Sequence, residues 1–258
     1  MRLVEHVSRR QRQKFAAQME TRIAAENASV PGLEEWALAN GWTGTDAPEL
    51  GVEDAEGCIC RVALGIHSVS DIDKTRRQRF RQLFLSPSEL GPTYSQYQAP
   101  RVVHCYRGDA DSREVLVGSA FYDIQFFMGS AAAYGKTTPP PEELSSGFCV
   151  VRIPTTGQWL QLIPAIKGWL SRGKDGLGYA DLDARYAAYC PDRQLARRTV
   201  GPEIASLVAS REDWGLSING SVLACVTRDP LSSGSDAEQL VAATVRIAEL
   251  MQKTEQRS

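Results

Sequence analysis

The sequence has no apolar run long enough to cross a bilayer and no marked excess of either charge. No stretch approaches the roughly 20 apolar residues of a membrane-spanning helix. The 29 basic and 31 acidic residues leave a formal charge of -2, which disfavours nucleic-acid binding because that function usually needs a basic excess. Residues 1–14 contain no apolar core of a secretory signal. We therefore expect a cytoplasmic protein without a membrane span.

Histidines are few, and complete catalytic or metal-binding motifs are missing. With three histidines in the chain, a hydrolytic triad would need His67 or His104, and no Gly-x-Ser-x-Gly elbow accompanies either. Six cysteines are too few for a disulfide scaffold in 258 residues, so we expect reduced thiols. Cys58 and Cys60 lack the second closely spaced pair that completes a zinc pattern. No metal and no cofactor are expected.

One segment approaches a phosphate-binding loop without completing it. Residues 130–137 end in Gly-Lys-Thr, but Ser130 stands where the pattern requires glycine. Three prolines at 139–141 follow, and they prevent the helix whose N-terminus would bind the phosphate. The sequence predicts a flexible loop here.

Four residues are candidates for a catalytic site assembled from distant positions: Asp181, Asp183, His67 and His104. An Asp-x-Asp pair such as Asp181 and Asp183 can hold a divalent ion against a phosphate. Such pairs also arise often by chance, and neither aspartate has a partnered base nearby in sequence.

An arginine cluster supplies the candidate binding residues: Arg76, Arg77, Arg79 and Arg81. Apolar side chains at Phe80, Leu83 and Phe84 are interleaved with them. A solvated face of an amphipathic helix is the commoner meaning of this pattern, and contact with phosphates or an acidic partner is the alternative.

The pattern of the chain predicts an α+β fold, with mostly antiparallel sheet and packed helices. We expect a helix over residues 3–25, a short helix over 33–39, a strand over 57–68 and a basic helix over 71–85. A hairpin is predicted from 101–107 and 114–127, and a strand over 146–154. Residues 158–170 fit a helix by periodicity but contain Pro164. The predicted regions are an N-terminal helical segment at 1–56, a β-rich region at 57–170 and an α+β unit at 171–258. The last two are either separate domains or one continuous domain.

The C-terminal region carries the strongest structural pattern, a β-α-β-β-α unit. Residues 182–189 are predicted to be extended, followed by helical runs at 194–200 and after Pro202. Asn219-Gly220 predicts a hairpin with a type I′ turn. Residues 235–253 then form an amphipathic helix whose apolar side chains recur at i, i+3 and i+4.

An ordered set of these features resembles a family of uncharacterised actinobacterial proteins, a domain of unknown function. The features are Ala39 to Trp42, Tyr106 to Gly108, Ala120 to Tyr122, Val150 to Pro154, and the closing unit with Asp183 to Tyr189, Asp192, Ala196, Pro202 and Ile218 to Gly220. The resemblance implies the fold, and no established activity comes with it.

The leading functional hypothesis is a non-enzymatic module that binds a protein partner or a small ligand. It rests on ordinary globular composition together with the missing catalytic constellation. The alternatives are an enzyme built from the four candidates above and, less favoured, nucleic-acid binding through arginine clusters at 9–14 and 76–81.

Overall fold

The computed structural model describes residues 30–45, 101–124, 142–154, 159–164, 176–211 and 214–255. The strands in these ranges are β1 (Thr43–Gly44), β2 (Arg101–Ala110), β3 (Arg113–Ile124), β4 (Glu142–Arg152), β5 (Trp159–Pro164), β6 (Tyr186–Tyr189), β7 (Trp214–Asn219) and β8 (Val222–Thr227). They form one sheet in the order β1-β2-β3-β4-β8-β7-β5-β6, and every pair is antiparallel. The described helices are α1 (Leu33–Ala39), α2 (Ala180–Arg185), α3 (Arg193–Ala209) and α4 (Gly234–Glu255). The predicted α+β class is confirmed.

Local sequence explains why α3 consists of two helical runs joined at a kink. The Asp192 carboxylate accepts a hydrogen bond from the Leu195 amide at 3.0 Å and so caps the N-terminus. Gly201, with φ 59° and ψ 170°, then breaks the helical path just before Pro202, which has no amide proton to donate. The two predicted helical runs are therefore confirmed.

The first face of the sheet carries the core beneath the helices. Helix α4 lies against β3, β4 and β8 and also contacts α1 and α3. Buried side chains of alternate strand positions face it, in a transverse row through Val117, Cys149, Cys225, Leu216 and Leu162. The apolar stripe predicted for α4 is buried as expected, at Leu240, Val241, Thr244, Ile247, Ala248 and Met251.

The second face of the sheet is enclosed as well. Because successive side chains of a strand point to opposite faces, the neighbouring positions form a second transverse row: Leu116, Val150, Ala224, Ser217, Gln161 and Tyr189. The first five of these are buried, and Tyr189 is half-buried. None of the described helices packs on this face, because their buried residues belong to the core of the first face.

Helix α1 is attached to the sheet by tryptophans. The rings of Trp36 and Trp42 lie 5.1 Å apart. Trp42 covers Gly108 of β2 so closely that a Cβ atom at position 108 would fall 2.4 Å from the indole. Asn40 and Gly41 end the helix, as predicted, and Gly41 takes the left-handed conformation that suits a C-terminal cap.

Both predicted hairpins are confirmed, but the type I′ turn is not where the sequence predicted it. Asn219 pairs with Val222, so Gly220 and Ser221 are the two turn residues. Of these, only Gly220 has a positive φ, at 57°, which is the pattern of a type II′ turn. The β2–β3 hairpin instead turns at Asp111 and Ser112, whose φ values of 50° and 61° are those of type I′.

Three element boundaries differ from the sequence prediction. The segment predicted to be extended from residue 182 is helical up to Arg185, and only Tyr186–Tyr189 pairs as a strand. Strand β4 begins at Glu142, earlier than predicted, because its whole length finds partners on β3. The ambiguous segment is strand β5, with Pro164 as its last residue, where a proline disturbs pairing least.

The predicted elements at 3–25, 57–68 and 71–85 lie outside the described residues. The proposed regions 1–56, 57–170 and 171–258 stay a prediction.

Candidate functional site

His104, a candidate catalytic residue, lies in an irregular part of β2. The register with β3 shifts between Val103 and Tyr106, and His104 takes a positive φ of 49° within this bulge. A bulge redirects side chains, and the next residue, Cys105, is buried. Burial raises the pKa of the Cys105 thiol to about 12, with the Arg107 charge acting in the opposite direction.

Asp183, a second candidate, is engaged by backbone amides. Its two carboxylate oxygens accept hydrogen bonds from the Leu177 and Gly178 amides, each at 2.8 Å. The side chain also lies against Gly176, where a Cβ atom would come within 2.3 Å of it. Asp183 therefore fixes the loop that leads into α2, while Asp181 is exposed in the first turn of that helix.

The structure does not bring His104 and the aspartate pair together. Strand β2 is second in the sheet order, and β6, which follows α2 directly, is eighth. Six strand spacings separate them by about 29 Å. Within the described ranges, no group of three or more His, Cys, Asp or Glu residues could hold a metal ion. His67 and the cluster Arg76, Arg77, Arg79 and Arg81 lie outside those ranges.

The buried thiols of the core are unsuited to nucleophilic chemistry. Cys149 and Cys225 face each other across β4 and β8. Burial raises the pKa of Cys225 to about 12 and that of Cys149 further, while the Thr244 hydroxyl beside them lowers both by a smaller amount. Since the thiolate is the nucleophilic form, these cysteines act as small packing residues.

The second face of the sheet contains two neighbouring polar side chains that are buried. Gln161 of β5 and Ser217 of β7 are direct cross-strand partners and are only 2% and 1% exposed. Among the described residues, Gln161 and Ser217 belong to a small set of buried polar side chains. Burying an amide or a hydroxyl costs free energy unless hydrogen bonds replace its contacts with water.

Small residues lie beside the polar pair on the second face. Ala224 is the cross-strand neighbour of Ser217 on β8, and Gly215 precedes Ser217 by two positions on the same face. Larger side chains, Val150 and Ile163, border this patch along the neighbouring strands. We call the patch of Gly215, Ser217, Ala224 and Gln161 the sheet recess. It offers one amide and one hydroxyl and carries no charge.

This patch was not predicted from the sequence, because finding it requires knowing which residues form strands and how those strands pair. Leu160, Gln161 and Leu162 alternate as a half-buried strand would, but the helical periodicity of 158–170 obscured that pattern. Once Leu216 and Leu162 are known to share the first face, Ser217 and Gln161 must share the second.

No family model matches the chain, and no curated protein matches it. This agrees with the resemblance to a family without an established activity, whose actinobacterial origin stays a prediction.

Among solved structures, the chain is similar to the crystal structure of the mycobacterial trehalose monomycolate transport factor A. The identity is 11% and the TM-score 0.38, with 63% of this chain and 78% of that chain covered. A similarity of this size does not establish a common fold. Over the described residues, no helix combines the length and the apolar character needed to cross a membrane.

Proposed function

We propose that this protein is a non-enzymatic binding module that holds a small, uncharged ligand in the sheet recess. The observation that carries the proposal is the enclosed, uncharged Gln161–Ser217 pair beside the small residues Gly215 and Ala224. A ligand that forms hydrogen bonds with this pair would compensate for its burial.

The chemistry of the recess defines the ligand class. The Gln161 amide offers two donors and one acceptor, and the Ser217 hydroxyl can donate and accept. Apolar side chains continue the row on one side through Ala224 and Val150. With no charged group in the row, an ionised ligand would lose its hydration without gaining a counter-charge. An uncharged molecule with a hydrogen-bonding group and an apolar part fits these conditions.

The enzyme alternative has less support from the geometry. Of its four candidates, Asp183 is bound by two amides, and His104 lies on β2, six strand positions away from β6, the strand that directly follows the aspartate pair in the chain. Nucleic-acid binding rests on residues 9–14 and 76–81, outside the described ranges. The cytoplasmic location likewise stays a prediction, which fractionation of the native cell would check.

A substitution at Gln161 tests the proposal. Purified parent protein is expected to gain thermal stability with one or more uncharged members of a metabolite library, and Gln161→Met to lose that gain. Gln239→Met is the matched control, because Gln239 is exposed on α4. Equal ligand-induced shifts in the parent and Gln161→Met would place the ligand elsewhere. No stabilising compound, combined with a loss of stability in ligand-free Gln161→Met, would rule out the recess as a binding site.

A further inference from the structure

A second location, away from the sheet recess, has an arginine with an unpaired nitrogen. Arg211 follows the C-terminal end of α3, where its amide donates to the Val208 carbonyl at 3.0 Å and its carbonyl accepts a hydrogen bond from the Tyr186 hydroxyl. Its guanidinium carbon lies 4.9 Å from the centre of the Trp214 ring. The Arg211 Nε is buried and has no hydrogen-bond partner within the described ranges.

An apolar crevice opens beside the same tryptophan. Its walls come from Leu207 and Val208 of α3, Ile247 of α4, and Trp214, Leu216 and Cys225 of the sheet. The crevice holds about 10 Å³ of free volume, which is the room of roughly one water molecule or methyl group. Because its exposed lining is entirely apolar, water gains few hydrogen bonds there.

The arginine and the crevice together suit one kind of ligand. A guanidinium is permanently charged, and its planar fork matches the two oxygens of a carboxylate. Trp214 holds Arg211 by a cation–π contact and also forms one wall of the crevice. At the same helix end Arg185 donates a hydrogen bond to the Ala209 carbonyl at 2.9 Å.

We infer that Arg211, Trp214 and the crevice form a carboxylate-binding site that takes a short apolar group attached to the carboxylate. The carboxylate oxygens contact the Arg211 guanidinium, and the first carbons beyond it enter the crevice. Short-chain carboxylates, or the C-terminal carboxylate of a small apolar residue, share this chemistry. The crevice shares Gly215 with the sheet recess, but its other lining residues belong to the first face or to the helices packed on it.

The test uses formate, acetate, propionate, butyrate and hexanoate as probes on the full chain. Binding is followed through the indole N–H signal of Trp214 in ¹H–¹⁵N spectra, assigned with Trp214→Phe. We expect carboxylates to shift this signal, with affinity rising from formate to propionate and then levelling off, because the crevice has room for one methyl-sized group. Uncharged 1-propanol and propionamide should leave the signal unchanged.

Substitutions test separately how the Arg211 charge and the crevice contribute to binding. Arg211→Gln should weaken propionate binding at least tenfold, whereas Arg198→Gln, at an exposed position on α3, should not change it. Leu207→Phe should fill the crevice and remove the gain from formate to propionate while keeping carboxylate binding. The inference is overturned if 1-propanol binds as well as propionate, or if Arg211→Gln binds like the parent. It is equally overturned if no carboxylate shifts the Trp214 signal.

Discussion

At the scale of single residues, buried polar side chains have different surroundings on the two faces of the sheet. On the first face the Thr244 hydroxyl donates to the Leu240 carbonyl at 2.7 Å and lies beside two thiols, so its hydrogen-bonding capacity is used. On the second face Gln161 and Ser217 are enclosed side by side. The hydrogen bond within α4 accounts for the burial of Thr244, whereas we propose that the Gln161–Ser217 pair binds a ligand.

Replacing Gln161 with methionine should therefore stabilise the ligand-free protein. Methionine keeps the length of the side chain and removes the buried amide that we propose is reserved for a ligand, so we expect the free energy of unfolding to rise by about 1–2 kcal/mol. Urea unfolding measures this difference, with Gln239→Met as the exposed control. A fall in stability would show that the amide has a structural partner, and the proposed ligand site would lose its basis.

The buried thiols predict a loss of stability in alkali. In the folded protein burial raises the pKa of Cys225 to about 12 from its ordinary value of 9.0, and the Cys149 pKa is raised more. Above pH 9 the unfolded chain releases these protons while the folded chain keeps them, so stability falls as pH rises toward 12. Each thiol should contribute a loss of about 1 kcal/mol by pH 10.

Cysteine substitutions check this pH dependence by urea unfolding at pH 8 and pH 10. Cys225→Ala should lose less stability than the parent between the two pH values, even though it is less stable at pH 8. The control is Cys190→Ala, at a partly exposed position. An identical loss in the parent and Cys225→Ala would assign the alkaline effect to other groups.

At the scale of elements, the start of α4 depends on a capping box. The Asp236 amide donates to the Ser233 hydroxyl at 3.2 Å, and the Asp236 carboxylate accepts from the amide and hydroxyl of Ser232. The hydrogen bond from the Ser232 hydroxyl is the main cause of the lowered pKa of Asp236, and burial opposes it. The stability from this cap is present above the ordinary carboxyl pKa and is lost as pH falls through the lowered value.

Asp236→Ala should lower the free energy of unfolding by about 1 kcal/mol at pH 7. The variant should also lose less stability than the parent between pH 5 and pH 3, because the titrating group is gone. Glu238→Ala, exposed on the same helix, is the control for removing a carboxylate. If both variants had the stability of the parent at pH 7, the capping role would be wrong.

The β7–β8 turn gives a test of its observed geometry. Gly220 has a φ of 57°, and open space surrounds its Cα, so a side chain there meets backbone strain and no collision. Gly220→Val should destabilise the protein by roughly 1–3 kcal/mol, because a β-branched residue resists positive φ. Ser221→Val should cost much less, since only a type I′ turn at these two positions would need positive φ at residue 221. Equal costs in thermal unfolding would contradict the type II′ assignment.

Sequence patterns predicted those elements whose information is local. The apolar stripe of α4, the Asp192 cap and Pro202 of α3, and Asn40-Gly41 after α1 all specify helix ends or faces by themselves. The turn at Gly220 was misplaced by one residue because strand register is set by pairing along the whole strand. The sheet recess could not be predicted, because Gln161 and Ser217, 56 positions apart by their numbers, become neighbours only through the β5–β7 pairing.

At the scale of the whole molecule, α4 crosses the middle of the sheet, where strands from the earlier and later parts of the chain meet. It packs on β3 and β4 from the middle of the chain, on β8 from the C-terminal unit, and on both α1 and α3. The pairing of β4 with β8 joins the same regions through backbone hydrogen bonds. The described elements should therefore unfold together, although the chain order separates them into an earlier and a later group.

Leu240→Ala tests this cooperativity. Leu240 belongs to α4 and is fully buried, so its truncation should cost about 2–5 kcal/mol. In hydrogen exchange the amides of β3 and β4 should lose protection together with those of β7 and β8, because one helix covers both pairs. Gln239→Ala, exposed on the adjacent turn position, should leave protection unchanged. Lost protection in β7 and β8 alone would show that the two groups of strands fold as separate units, with α4 belonging only to the C-terminal one.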